Sequence, residues 1–117
     1  MTQHAASLAF VFPGQGSQSV GMLAELAAAH AEVRAAFDEA SQGAGVDLWA
    51  LSQQGPEDAL NRTENTQPAL LAASVATWRV WRKLGGALPA QLSGHSLGEY
   101  SALVCADALS LHDAAAL

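Results

Sequence analysis

The hexapeptide Gly94-His95-Ser96-Leu97-Gly98-Glu99 sets a serine between two glycines, after the short run Gln91-Leu92-Ser93 and ahead of a helical pattern. A serine hydroxyl is a weak nucleophile at neutral pH and depends on its surroundings for activation. A sharp strand-to-helix turn supplies part of that. It pushes the side chain out of the fold and brings the next residue's amide beside it, and glycines let the backbone bend so tightly. On the G-x-S-x-G spacing, Ser96 is the candidate nucleophile of an elbow. The same residues also fit a capping box. Ser96-Leu97-Gly98-Glu99 has the S-x-x-E form ahead of Tyr100, Leu103 and Val104, and there the hydroxyl only satisfies backbone amides. Both readings start a helix at Ser96 and differ in where the hydroxyl points.

A second candidate lies far upstream. Leu8-Ala-Phe-Val-Phe12 is a continuous apolar run closed by Pro13-Gly14, which suits a strand buried on both faces of a parallel sheet. Gly14-Gln15-Gly16-Ser17-Gln18 follows. A dinucleotide fingerprint needs a third glycine where Ser19 stands, and no Gly-Lys-Ser/Thr follows to make a Walker A loop. What survives is a loop with exposed amides at a helix entrance, suited to a developing negative charge. An ordinary strand-to-helix connection has the same letters.

Around these two stretches the chain reads as helices. Met22 to Ala29 and Ala31 to Ala40 are alanine-rich, with Leu23, Leu26, Val33 and Phe37 at helical spacing, and Gly43-Ala-Gly45 breaks the run. Leu48 to Leu51 is a short helical turn, and Gly55-Pro56 opens another over Glu57 to Asn61. Thr66 reads as an N-cap with Pro68 in the first turn of a helix running to about Leu84. Leu70, Leu71, Val75, Trp78 and Trp81 cover much of its circumference, the mark of a core helix. Arg79, Arg82 and Lys83 gather at its end, where cations complement the macrodipole; docking of an acidic partner is the lesser reading. A strand at Leu92 to Gly94 leads into the elbow, and Ser110 caps a last helix with Asp113 in its first turn.

The bulk properties narrow the classes. A chain of 117 residues is long enough for one small domain and short for two, and with half its residues apolar it is not disordered. A formal charge of −6 without a basic run argues against nucleic acid, and no apolar stretch is long enough to span a bilayer. Met1-Thr-Gln-His4 lacks the build of a signal peptide, so a cytoplasmic location is the default. Cys105 alone forms no internal disulfide and reads as a small core residue, and no metal or redox motif is visible. Only two strands are convincing, too few for a parallel sheet, and the last helical pattern has no terminator. Residues 1–117 are therefore expected to be an incomplete part of a larger α/β domain.

Taken together, Phe12-Pro-Gly-Gln-Gly-Ser-Gln18, Asn65-Thr-Gln-Pro-Ala-Leu70 and Gly94-His-Ser-Leu-Gly-Glu99 resemble the malonyl-CoA:acyl-carrier-protein transacylases of bacterial fatty-acid synthesis, with Leu48-Trp-Ala-Leu51 and Tyr100 to Cys105 adding to the match. The resemblance runs over essentially the whole chain but only the N-terminal part of that family's sequence. It implies an α/β, parallel-sheet, hydrolase-like acyltransferase core. Ser96 would take malonyl from malonyl-CoA as an ester and pass it to the phosphopantetheine thiol of acyl carrier protein, in ping-pong order. The amides of Gln15 and Leu97 would form the oxyanion hole, and His95, Gly14 and Gly94 would line the site. No cofactor of its own is implied. His95, next to Ser96 on a sharp turn, is a poor base for it, and His4, His30 and His112 carry no motif and read as surface or helix positions. By the resemblance, the general-base histidine and the arginine for malonyl's carboxylate lie beyond Leu117. The chain is then inactive alone and acts with the remaining C-terminal part of the enzyme. The rivals are an α/β serine hydrolase, a polyketide-synthase acyltransferase domain (against which Met1, just before the first strand, argues) and an inactive fragment binding carrier protein through Arg79, Arg82 and Lys83.

Overall fold

In a computed structural model the described residues are 4–117, so the Met1-Thr-Gln start discussed above lies outside them. The order is β1 (His4–Phe12), α1 (Ala24–Ala29), α2 (Ala31–Ala44), α3 (Leu48–Gln54), α4 (Glu57–Leu60), α5 (Thr63–Lys83), β2 (Leu88–Gly94), α6 (Gly98–Cys105) and α7 (Leu111–Ala116). β1 and β2 pair in parallel, which requires a crossover, and α1 to α5 form it. The fold is α/β with a parallel sheet, as the sequence led us to expect. The register sets Ala9 against Gln91 and continues pair by pair to Phe12 against Gly94, with an irregularity upstream between Ala5 and Ala9.

The core lies where α2, α3, α4 and α5 meet: Val33, Phe37, Leu48, Leu60, Leu71 and Val75 are all fully buried. Phe10 extends it to the sheet with its ring edge-on to Trp78 at 5.2 Å between centroids. β1 departs from expectation. Phe10 and Phe12 face the helices, but Val11 is 74% exposed, because side chains alternate along a strand and α5 covers one face only. Among the described residues, the other face is open.

Several boundaries move. β1 starts at His4 and β2 at Leu88, so both strands are longer than read. α1 starts at Ala24 because Leu23 adopts a left-handed φ of 63°. α2 runs through Gly43, which serves packing rather than termination: a Cβ there would stand 2.1 Å from the carbonyl oxygen of His112 on α7. The helix ends at Gly45, whose φ of 76° is the common C-terminal device. α5 starts at Thr63 behind Arg62, so Thr66 is no cap and Pro68 sits past the first turn. The buried Thr66 hydroxyl instead donates to the carbonyl of Leu60, holding α4 against α5.

One expectation holds as read and one in part. Ser110 caps α7 by accepting from the Asp113 N–H at 3.1 Å, and α5 buries Leu70, Leu71 and Val75, whereas Trp78 is only partly buried and Trp81 is exposed. The basic end of α5 is engaged internally. Arg79 pairs with Glu39 at 3.2 Å and Lys83 with Glu32 at 3.0 Å, both across to α2, while Arg82 donates to the Gly86 carbonyl at 2.8 Å.

Candidate active site

β2 ends at Gly94, and the chain turns through His95, Ser96 and Leu97 before α6 begins at Gly98. Ser96 has a φ of 56°, a region L-residues other than asparagine and aspartate rarely enter. Its side chain is exposed, and among the described residues its hydroxyl has no hydrogen-bond partner. The Glu99 N–H donates to the backbone carbonyl of Ser96 at 3.0 Å, not to the hydroxyl, so the capping box does not form. The helix accordingly starts two residues after Ser96, not on it.

The glycines explain how the bend closes. A Cβ on Gly94 would lie 1.9 Å from the Gly98 carbonyl, and one on Gly98 would lie 2.1 Å from the Phe12 carbonyl oxygen. The elbow is thus pressed against the end of β1, to which it is also bonded by the His95 N–H donating to the Phe12 carbonyl at 3.3 Å. The Gly14 loop leaves β1 at this point. A Cβ on Gly14 would stand 3.0 Å from the His95 carbonyl oxygen, 3.6 Å from His95 Nδ1 and 3.9 Å from Ser96 Cβ. Gly14 and the consecutive residues Gly94, His95 and Ser96, eighty or more positions later in the sequence, are therefore in one place. The backbone N–H groups of Gln15 and Leu97, flanking this contact, donate to no acceptor among the described residues.

The loop itself is held. Gly16 N–H donates to Gln18 Oε1 at 2.8 Å, and the Ser17 hydroxyl donates to the Gly14 carbonyl at 3.1 Å. Two side chains then reach the turn between α4 and α5: Gln18 Nε2 donates to Asn61 Oδ1 at 2.8 Å and Gln15 Nε2 to Thr63 Oγ1 at 3.3 Å. Sequence reasoning missed Asn61 and Thr63. Asn65-Thr-Gln-Pro stands out just after them, yet nothing in the spacing couples that turn to a loop more than forty residues earlier.

Among the described residues His95 makes no hydrogen bond to the Ser96 hydroxyl. His112 contacts Asp113 at 3.2 Å, both side chains exposed on the outer face of α7. His30 joins α1 to α2 and is partly exposed, with Nδ1 buried and unpartnered among the described residues; His4 opens β1, and its side chain lies outside those described. Cys105 is buried on α6, and that burial pushes its thiol up to about 12, consistent with a small core residue. Among the described residues no group of His, Cys, Asp and Glu gathers as metal ligands would. A cleft of about 310 Å³ flanks the elbow between Gln67, Pro68, Leu97, Tyr100 and Ala114. A second, apolar one of about 370 Å³ touches the loop at Ser17 but does not reach Ser96.

An exposed, strained serine oxygen beside a glycine loop with unpaired amides is suited to attacking an acyl carbonyl and receiving the resulting oxyanion. The chain is 65% identical over 109 residues to the malonyl CoA-acyl carrier protein transacylase of Salmonella typhimurium and 62% identical to that of Escherichia coli K12. Each alignment takes in 93% of this chain but 35% of the relative, so the chain spans about a third of the length of the curated relatives it matches. The crystal structure of malonyl-CoA:acyl carrier protein transacylase from Xanthomonas oryzae superposes with a TM-score of 0.95 at 68% identity, over 99% of this chain and 36% of that one. A malonyl-transacylase solved in complex with a type II polyketide-synthase acyl-carrier protein gives 0.88 at 59% identity, over 97% and 36%. The family model described as the acyl transferase domain matches residues 9–117, a span that takes in the glycine loop, the elbow and the helix behind it, and the chain belongs to that family.

Proposed function

We propose that this chain carries the nucleophile and the oxyanion-binding amides of a malonyl-CoA:acyl-carrier-protein S-malonyltransferase, and that residues 1–117 are the N-terminal part of its domain. Ser96 Oγ attacks the thioester carbonyl of malonyl-CoA, and the N–H groups of Gln15 and Leu97 receive the oxyanion. Collapse breaks the carbon–sulfur bond, releases the CoA thiol and leaves a malonyl-serine ester. The phosphopantetheine thiol of acyl carrier protein then attacks that ester, and the proton returns to Ser96. Gly14, Gly94 and His95 line the space in which this happens. The observation that carries the reading is Ser96 at a φ of 56°, its hydroxyl unpartnered and Gly14 packed against it. The transacylase names of relatives at 62–65% identity supply the substrate class.

No histidine among the described residues bonds Ser96, and the chain spans 35% of its relatives. As the family resemblance implies, the reading places the general base and the malonyl-carboxylate arginine in sequence beyond Leu117. A serine lacking its base keeps only the residual acceleration of its oxyanion site. It also includes a cytoplasmic location; no helix among the described residues is long and apolar enough to cross a membrane.

The test is intact-mass analysis of the full-length protein after mixing with malonyl-CoA. One malonyl group should appear on the Ser96 peptide, disappear when holo acyl carrier protein is added, and fail to form in Ser96→Ala. Malonate release without carrier loading would identify a hydrolase instead. The isolated 117-residue chain should turn over malonyl-CoA roughly a millionfold more slowly than the full-length protein, the cost of losing a catalytic histidine alone.

A further inference from the structure

The hydrogen bonds around the glycine loop form a circuit. Gly14 and Gly16 flank the Gln15 amide, and Gly16 has a φ of 114°, so this backbone has more freedom than most to lose. An oxyanion donor works only if it is already aimed when charge develops. Something must therefore restrict the loop. The Gln18 side chain does so from both ends of its amide: Oε1 accepts the Gly16 N–H at 2.8 Å, and Nε2 donates to Asn61 Oδ1 at 2.8 Å. The Gly16 N–H can meet only an acceptor, which fixes the orientation of the Gln18 amide and leaves its NH₂ for Asn61.

Asn61 stands on a firm base. Its N–H donates to Glu57 at 2.9 Å, Asn65 Nδ2 donates to the Ala59 carbonyl at 2.9 Å, and the buried Thr66 hydroxyl donates to Leu60 beside it. The turn between α4 and α5 is thus locked, and the loop is bonded to it. Gln15 adds a longer contact to Thr63 at 3.3 Å.

We infer that Gln18 and Asn61 are positioning residues for acyl transfer, holding the glycine loop so that the Gln15 amide faces the oxygen of the carbonyl whose carbon Ser96 attacks. This rests on the function proposed above. Neither residue touches the reacting atoms. Their effect belongs to the acylation step and not to capture of the thioester, because the loop's aim matters most when the carbonyl oxygen becomes charged.

The experiment uses the full-length protein and follows malonyl-serine formation by rapid quench against malonyl-CoA concentration. Gln18→Met keeps the side-chain length and removes both bonds. Gln18→Glu keeps the acceptor for Gly16, and Asn61 can turn its amide to donate to the carboxylate. Gln18→Met should lower the maximal acylation rate about tenfold, with half-saturation unchanged within about twofold, since loss of a whole oxyanion donor costs 10²–10³. Gln18→Glu should recover most of that rate. Asn61→Leu should match Gln18→Met, and the double variant should be no slower than either single one. Equal rates in Gln18→Met and the parent overturn the inference. So does a loss that Gln18→Glu fails to recover, or losses that multiply in the double variant. A parent that acquires no malonyl group overturns the function proposed above, a result separate from any comparison among variants.

Discussion

At Ser96 the backbone carries a cost that only the exposed hydroxyl justifies. Left-handed φ costs an L-residue roughly 1–2 kcal/mol relative to glycine. Ser96→Gly should therefore be more stable than Ser96→Ala by about 1 kcal/mol in urea unfolding, although both lose the nucleophile. Equal stabilities would mean that the φ of 56° carries no strain. Gly98 makes the opposite case. Its missing Cβ leaves room for the Phe12 carbonyl, so Gly98→Ala should destabilise by about 2 kcal/mol or more, and the same denaturation curves read it. Cys105, buried with its thiol held neutral, should resist Ellman's reagent until the chain unfolds. At this scale the sequence was half legible. Glycine spacing marked Ser96, but S-x-x-E marked a cap equally well, and only the packing of Gly98 on Phe12 turns the hydroxyl away from its own helix.

Helix α5 shows how an element gathers uses that its own pattern does not announce. Its apolar face was readable because burial repeats at helical spacing. Its start was not, because Thr66 and Pro68 imitate an N-terminus while Thr66 in fact bonds to α4. Its basic end reads locally as a dipole match, yet Arg79 and Lys83 join it to α2. That leaves the rival reading, docking of carrier protein at this end, with two of its three cations already paired to α2. Lys83's hydrogen bond draws the Glu32 carboxyl below its ordinary range. A depressed carboxyl pKa stabilises the fold above the unfolded value, and this contribution is lost as pH falls through the folded one. The difference in melting temperature between the parent and Lys83→Met should accordingly be small but measurable near neutral pH and vanish once Glu32 is protonated. A difference that grows on acidification would contradict the pairing.

Over the whole molecule, which extends 42 × 29 × 22 Å, stability and site have separate sources. Phe37 and Leu71 are buried on the α2–α5 side, so Leu71→Ala should cost roughly 2–5 kcal/mol in denaturant unfolding. The α/β class was legible from apolar runs alternating with helical patterns. The meeting of Gln18 with Asn61 was not, since contacts between loops follow from tertiary packing and leave no periodic trace. The parallel register holds one more consequence. From Ala9 to Phe12 every residue of β1 has its partner on β2, while the irregularity lies earlier, between Ala5 and Ala9. Each residue added to a strand advances its tip by about 3.3 Å and reverses its faces. An insertion after Ala9 would slide the glycine loop past the serine like a misaligned gear tooth, whereas one before Ala9 can be taken up by the slack already there. Changes of length can accumulate at the entry of this strand and are forbidden at its exit.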